Sequence, residues 1–298
     1  MLLWLQMPQC KDEWLHIAHE FEEKWQFPHC LGALDGKHIS ILPPPNSGSQ
    51  YYNYKHFFSI VLLALVDANY RFMYVDIGCC GRVSDGGVYN NSSLAKALTD
   101  NTLDIPTDTC LSGSDIVMPY VIVTDDAFAL KPHQMKPYSY RQLTKEKQIF
   151  NYRLSRARRV VEHAFGILSQ RFRVFGKAIP LSPEKAQVIV MAACCLHNFL
   201  LRSRMSADCY MQDTSGCDTA TGMVSMSKQG SNRYAADAGT VHDKFCQYFN
   251  SPQGAVSWQD SQMKKCSVMK YTVQMNLDTA CKTVVITQCV IIIVTFSE

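Results

Sequence analysis

The run Cys30-Leu31-Gly32-Ala33-Leu34-Asp35-Gly36-Lys37-His38-Ile39-Ser40-Ile41-Leu42 carries one acid, Asp35, inside an otherwise apolar segment. Ile39 and Ile41 alternate with polar neighbours, so the run reads as a strand. Outward from it, Phe57–Val66 and Arg71–Cys79 are two further β-rich runs. Asp67-Ala68-Asn69-Tyr70 joins them with hairpin chemistry. Val117–Thr124 is an apolar, β-branched run expected to form a buried strand, and it ends at Asp125. Upstream, Trp14, Ile17, Ala18, Phe21 and Trp25 have helical spacing, and Pro28 stops that helix.

The segments between are of a different kind. Pro43–Gly48 and Gly81–Gly87 read as loops, and Asn91–Leu98 as a short helix. Thr144–Phe175 reads mostly as helix, with Leu154, Ala157, Val161, Phe165, Leu168 and Phe172 on one apolar stripe. Ser182-Pro183-Glu184 opens another helix, apolar nearly all round and expected to be buried. Residues 203–235 are rich in Ser, Thr, Gly, Asp and Met and read as a linker, followed by a short helix over Val241–Phe249. Three strands, a helix, a strand and then helices give an α/β chain. The first three strands are expected to be antiparallel, and the fourth can lie parallel to the first after its crossover.

Composition sets wide bounds. The chain has 298 residues, 47% hydrophobic and 18% charged, enough for a substantial core. It contains no run of eighteen or more apolar residues, so no membrane span is indicated. Thirteen cysteines are scattered, with neither C-x-x-C nor zinc-ligand spacing, and read as reduced, mostly buried thiols of an intracellular protein. A net charge of +3 conceals an asymmetry. Residues 131–177 hold twelve Lys/Arg and two acids, whereas residues 1–130 hold seven Lys/Arg and fifteen acids. A basic segment of this kind is a footprint for a polyanion.

The acids supply the chemistry. Cleavage of a phosphodiester can be driven by two metal ions about 3.5–4 Å apart, which need a few convergent carboxylates on rigid elements. Asp35 lies within a strand, Asp125 ends one, and Glu162 borders the apolar stripe of the basic helix, one turn after Arg158 and Arg159. Singly, each has an ordinary explanation: a turn or capping aspartate, or a surface ion-pair glutamate. Asp126 competes with Asp125, but adjacent strand residues point to opposite faces, so only one should enter a site. Asp85 is a possible fourth carboxylate or a turn residue before a helix. His197 on the buried helix reads as a satisfied core histidine, and no G-x-S-x-G anchors a serine nucleophile.

At these residues the sequence resembles the PIF/Harbinger DDE superfamily of transposases and the Harbinger transposase-derived nucleases. The matching stretches, in family order, are Phe27–Ile39, Tyr52-Asn53-Tyr54-Lys55, Gly81–Gly87 and Asp125–Leu130. Lys136-Pro137-Tyr138, Asn151–Glu162, Phe165–Leu168 and Leu196–Phe199 follow. The resemblance implies an RNase H-like mixed sheet flanked by helices, divalent metal (Mg²⁺ or Mn²⁺) held by Asp35, Asp125 and Glu162, and metal-dependent cutting of DNA. Lys131, Lys136, Arg153, Arg156, Arg158, Arg159, Arg171 and Arg173 are candidates for phosphate contacts. It also implies a nuclear location, with the cytoplasm as an alternative, and a separate Myb-like DNA-binding partner. Two positions depart from the family pattern: Thr124 stands where glycine is common, and His163 where asparagine is common. Residues 1–28 are expected to be a helical lead-in left from an N-terminal region and 29–202 the nuclease domain. Residues 203–265 would be a linker with a family C-terminal segment, and 266–298 an atypical tail. The rival expectations are a catalytically inactive domain that binds DNA or protein, and a decayed transposon copy.

Overall fold

The computed structural model describes residues 5–139, 143–202, 222–225 and 234–261. The expected tail, 266–298, and most of the expected linker lie outside the described residues. The described elements run α1 (Lys11–Trp25), β1 (Cys30–Ser40), β2 (Ser59–Val66), β3 (Phe72–Cys80), α2 (Asp85–Asn91) and α3 (Ser93–Thr99). Then come β4 (Thr109–Cys110), β5 (Val117–Met118), β6 (Val121–Val123), β7 (Gln134–Met135), α4 (Lys145–Arg171), α5 (Pro183–Arg202), β8 (Met223–Ser225) and α6 (Ala236–Asn250).

The main sheet has six strands, ordered β3-β2-β1-β6-β7, with β8 also beside β1. β1, β2 and β3 pair antiparallel, and β6 and β7 continue in parallel. This is the mixed sheet flanked by helices expected of a DDE nuclease core. β2 is buried at every position, so side chains pointing to either face are covered. Helices α1, α4 and α5 pack against the strands, and one large hydrophobic cluster joins sheet and helices.

β1 shares its second edge between two strands. β6 runs along Cys30–Ala33, and β8 pairs with Lys37–Ile39. Asp35 lies where the two diverge. Because strand residues alternate, Asp35 and Lys37 share a face. That face is turned to α4, since Lys37 Nζ sits 5.6 Å from the centre of the Phe165 ring.

Three sequence expectations change. Val117–Thr124 is not one strand: Pro119, with no N–H to give a ladder, splits it into β5, paired with β4, and β6 in the main sheet. The expected loop Gly81–Gly87 gives way to α2 at Asp85, because the Ser84 hydroxyl caps the helix by accepting from Gly87 N–H. Part of the expected linker is β8, whose three residues are ordered by pairing with β1.

α5 is long and apolar enough to cross a membrane by length and composition. Here it packs on β3. Asn198 Nδ2 donates to the Phe72 carbonyl at 2.8 Å, and Phe72 N–H donates to Asn198 Oδ1 at 2.9 Å. The His197 Nε2 lies 2.8 Å from the Tyr70 carbonyl, as a satisfied core histidine should. Its burial is one-sided, however: Val188, Leu196 and Phe199 are exposed.

Candidate metal centre

Asp35 is buried, and its position on β1 is rigid. Its Oδ1 accepts from Gly36 N–H at 2.9 Å, and its Oδ2 lies 3.6 Å from Lys37 Nζ. Burial pushes its pKa above the usual carboxylate range, against the opposing pull of Lys37 and Arg158. Asp125 follows β6 by two residues, and its Oδ1 accepts from Ala127 N–H at 2.9 Å. Burial, reinforced by the charge of Asp35, pushes the Asp125 carboxyl up to about 6.

Asp126 is turned to another partner. Its Oδ1 lies 3.3 Å from Lys136 Nζ, while Asp125 carries the influence of the Asp35 charge. Both residues lie beyond the end of β6, so strand alternation does not reach them. Thr124, the position where family members often have glycine, is fully buried; its hydroxyl donates to the Met135 carbonyl at 3.2 Å and ties β6 to β7.

Glu162 comes from α4 and reaches the site from its solvent side. Its Oε1 accepts from Arg158 Nη1 at 2.7 Å, one helical turn back. The Arg158 side chain is 19% exposed against 42% for Glu162. Burial opposes the guanidinium charge, but Glu162, Asp35 and Asp125 together outweigh it and hold the Arg158 pKa up. The charges of all three acids thus bear on Arg158, and Glu162 is in direct contact with it. Among the described residues no three His, Cys, Asp or Glu side chains are arranged to hold one ion. The donor chemistry, three carboxylates without sulfur or imidazole, fits a hard divalent cation such as Mg²⁺ or Mn²⁺. Asp85 heads α2, and its side chain lies outside the described residues. His163, beside Glu162, stacks on Tyr70 with ring centres 6.1 Å apart.

The basic residues divide sharply. Lys136 is buried, with Nζ donating to the carbonyls of Asp126 and Phe128, so it braces the loop after Asp125 instead of facing a phosphate. Arg153 is buried too. It donates to the carbonyls of Gln26 and Gly254 and lies over the Phe249 ring. Neither points where a phosphate contact would need it. Arg156 donates to Gln26 Oε1 and stacks on Trp258, and Lys131 lies over Tyr89. Arg171 is half-buried, and Arg159 and Arg173 are exposed. One neighbour of the acids had gone unremarked: Lys37. Its signal was present, since it stands two residues from Asp35 on a strand.

The chain belongs to the DDE superfamily endonucleases, whose family pattern matches residues 34–198. It is 29% identical over 201 residues to the ALP1-like protein of Arabidopsis thaliana, covering 66% of this chain and 48% of that protein. It is 28% identical over 192 residues to HARBI1 of Homo sapiens, named as a presumed nuclease, covering 63% of this chain and 51% of that one. A third relative is the Arabidopsis thaliana protein named antagonist of like heterochromatin protein 1, 27% identical over 190 residues, covering 62% and 47%. The chain spans about half the length of the curated relatives it matches. No solved structure matches it.

Proposed function

We propose that the protein is a metal-dependent DNA endonuclease of transposase origin, with Asp35, Asp125 and Glu162 as its metal-binding carboxylates. One observation supports the reading: acids on β1, after β6 and on α4 all bear on the charge of Arg158, which contacts Glu162 at 2.7 Å. Bound divalent ions would supply an activated water and stabilise the leaving oxygen of the phosphodiester. The chain's own residues do the holding. Asp35 is fixed by the most buried part of the sheet, Asp125 by its bond from Ala127 N–H, and Glu162 closes the site from α4. Lys37 keeps positive charge beside Asp35, where a phosphate would bring negative charge. Arg159 and Arg173 are the exposed candidates for phosphate contacts that position DNA without reading sequence. A DNA substrate supports a nuclear location, with the cytoplasm as the alternative, and a Myb-like DNA-binding protein is the proposed partner.

Incubation with supercoiled plasmid in Mg²⁺ or Mn²⁺, with and without that partner, tests the reading. Nicking or linearisation is expected, and it should vanish in EDTA and in Asp35→Asn and Glu162→Gln variants. A second reading, a domain that binds DNA or protein without cutting, is favoured by one observation: among the described residues no three acids are arranged round one ion point. DNA retained uncut in every metal tested would select it.

A further inference from the structure

The loop before β2 turns outward what folding usually hides. Tyr52 is 39% and Tyr54 49% exposed, with the exposed Lys55 and His56 beside them. The loop is nevertheless held firmly from beneath. Asn53 is buried; its Oδ1 accepts from Lys55 N–H at 2.9 Å and Phe57 N–H at 3.3 Å, and its Nδ2 donates to Ser59 Oγ at 2.9 Å. Ser59 Oγ lies 3.0 Å from Nδ1 of the buried His38 on β1. A satisfied buried polar network of this kind fixes the backbone in one shape. The shape fixed here presents two aromatic rings and a lysine to solvent. The loop also adjoins the carboxylate site. Lys37 Nζ is 3.6 Å from Asp35 Oδ2 and donates to Ser225 Oγ on β8 at 2.5 Å. The Tyr54 hydroxyl donates to the Ser225 carbonyl at 3.2 Å. β8 therefore bridges Asp35 and Tyr54, and Lys55 Nζ sits 5.6 Å from the centre of the Tyr54 ring.

We propose that the loop Tyr52–His56 is a stacking platform for single-stranded DNA, with Tyr52 and Tyr54 taking unpaired bases and Lys55 the phosphate beside them. An aromatic face suits any base and a neighbouring cation suits the backbone, so such a surface holds a strand without reading its sequence. Bases inside a duplex keep their faces in the stack, so the rings select unpaired nucleotides. As a mere strut Tyr54 would need only its bond to Ser225 and its contact with the His38 ring, 5.8 Å between centres. A strut does not account for Tyr52 and Lys55 being turned out beside it. That the held strand lies next to the bond to be cut rests on the endonuclease reading above; the binding itself does not.

Fluorescence anisotropy of the full chain in EDTA, with a short labelled oligothymidylate and with a blunt duplex of the same length, tests this without any cutting. Tyr54→Leu and Tyr52→Leu should each weaken single-strand binding roughly tenfold and leave duplex binding within about twofold. Tyr54→Phe keeps the ring, loses the bond to Ser225 and should bind the single strand as wild type does. Lys55→Gln should lower the slope of log affinity against log salt by about 0.7 on the single strand. Thermal unfolding shows which variants are folded; if Tyr54→Leu is not, Tyr52→Leu and Lys55→Gln decide the matter. The platform is overturned by a wild type that does not bind the single strand, or by folded leucine variants that bind it as wild type does. Equal weakening on both DNAs, or a loss in Tyr54→Phe equal to that in Tyr54→Leu, also overturns it. Plasmid cutting by wild type in Mn²⁺, read separately, tells the two readings apart. Cutting without tyrosine-dependent strand binding overturns the platform alone. Tyrosine-dependent binding without cutting upholds the platform and overturns the endonuclease reading.

Discussion

Asp125 and Asp126 have the same side chain and adjacent positions, yet the fold gives them opposite partners. Asp125→Asn should abolish metal-dependent cutting, whereas Asp126→Asn should leave it nearly intact and cost up to about 1 kcal/mol through the lost Lys136 pair. Parallel nicking assays and denaturant melts read both. Arg153 and Arg159 form a second such contrast. Arg153→Ala strips donors from the buried carbonyls of Gln26 and Gly254 and should cost roughly 2–4 kcal/mol in denaturant unfolding. Arg159→Ala should leave stability within about 0.5 kcal/mol. The strand that ends just before Asp125 was legible in the sequence, because an apolar β-branched run is a local pattern. The burial of Lys136 and Arg153 was not. Arg153 finds its acceptors 127 and 101 residues away, and no local pattern shows that a basic helix face will be covered there.

Elements defined by their own periodicity or turn chemistry were the readable ones. α1, α4 and the β2–β3 hairpin fall where the pattern puts them. β8 was not readable, because three residues in a polar stretch become a strand only by pairing with β1. The one-sided exposure of α5 escaped for the opposite reason: an apolar residue does not announce which face of a helix is covered. The hairpin turn offers a test at this scale. Asp67 is buried, and its Oδ1 accepts from Asn69 N–H at 2.8 Å and Arg71 N–H at 2.9 Å. Burial pushes its carboxyl up to about 6, above the ordinary value of 3.8. A raised acid stabilises the fold fully below its unfolded pKa and loses that contribution as pH rises through the folded value. Asparagine keeps both acceptor bonds and removes the buried charge. Asp67→Asn should therefore match wild type near pH 4 and exceed it by up to about 3 kcal/mol above pH 6. A stability difference that does not grow between pH 4 and pH 6 in chemical denaturation would contradict this.

Across the whole molecule, an acidic N-terminal half and a basic segment meet at one sheet. The resemblance in sequence carried the family, and the sheet order agrees with it, but it could not reveal that the Arg158 side chain is mostly buried. The i, i+4 spacing of Arg158 and Glu162 reads locally as a surface pair, and only the packing of α4 on β1 and β6 covers the arginine. DNA binding by the intact chain should weaken steeply with salt, and the slope should fall by roughly one for each exposed phosphate contact removed. Arg159→Ala and Arg173→Ala are the variants in which to read it. The most direct test of the metal centre is anomalous scattering from crystals of the chain loaded with Mn²⁺. The predicted result is a peak about 2.1 Å from carboxylate oxygens of Asp35 and Asp125, with Glu162 turned to it. A metal bound away from Asp35 and Asp125, or no bound metal, would contradict it.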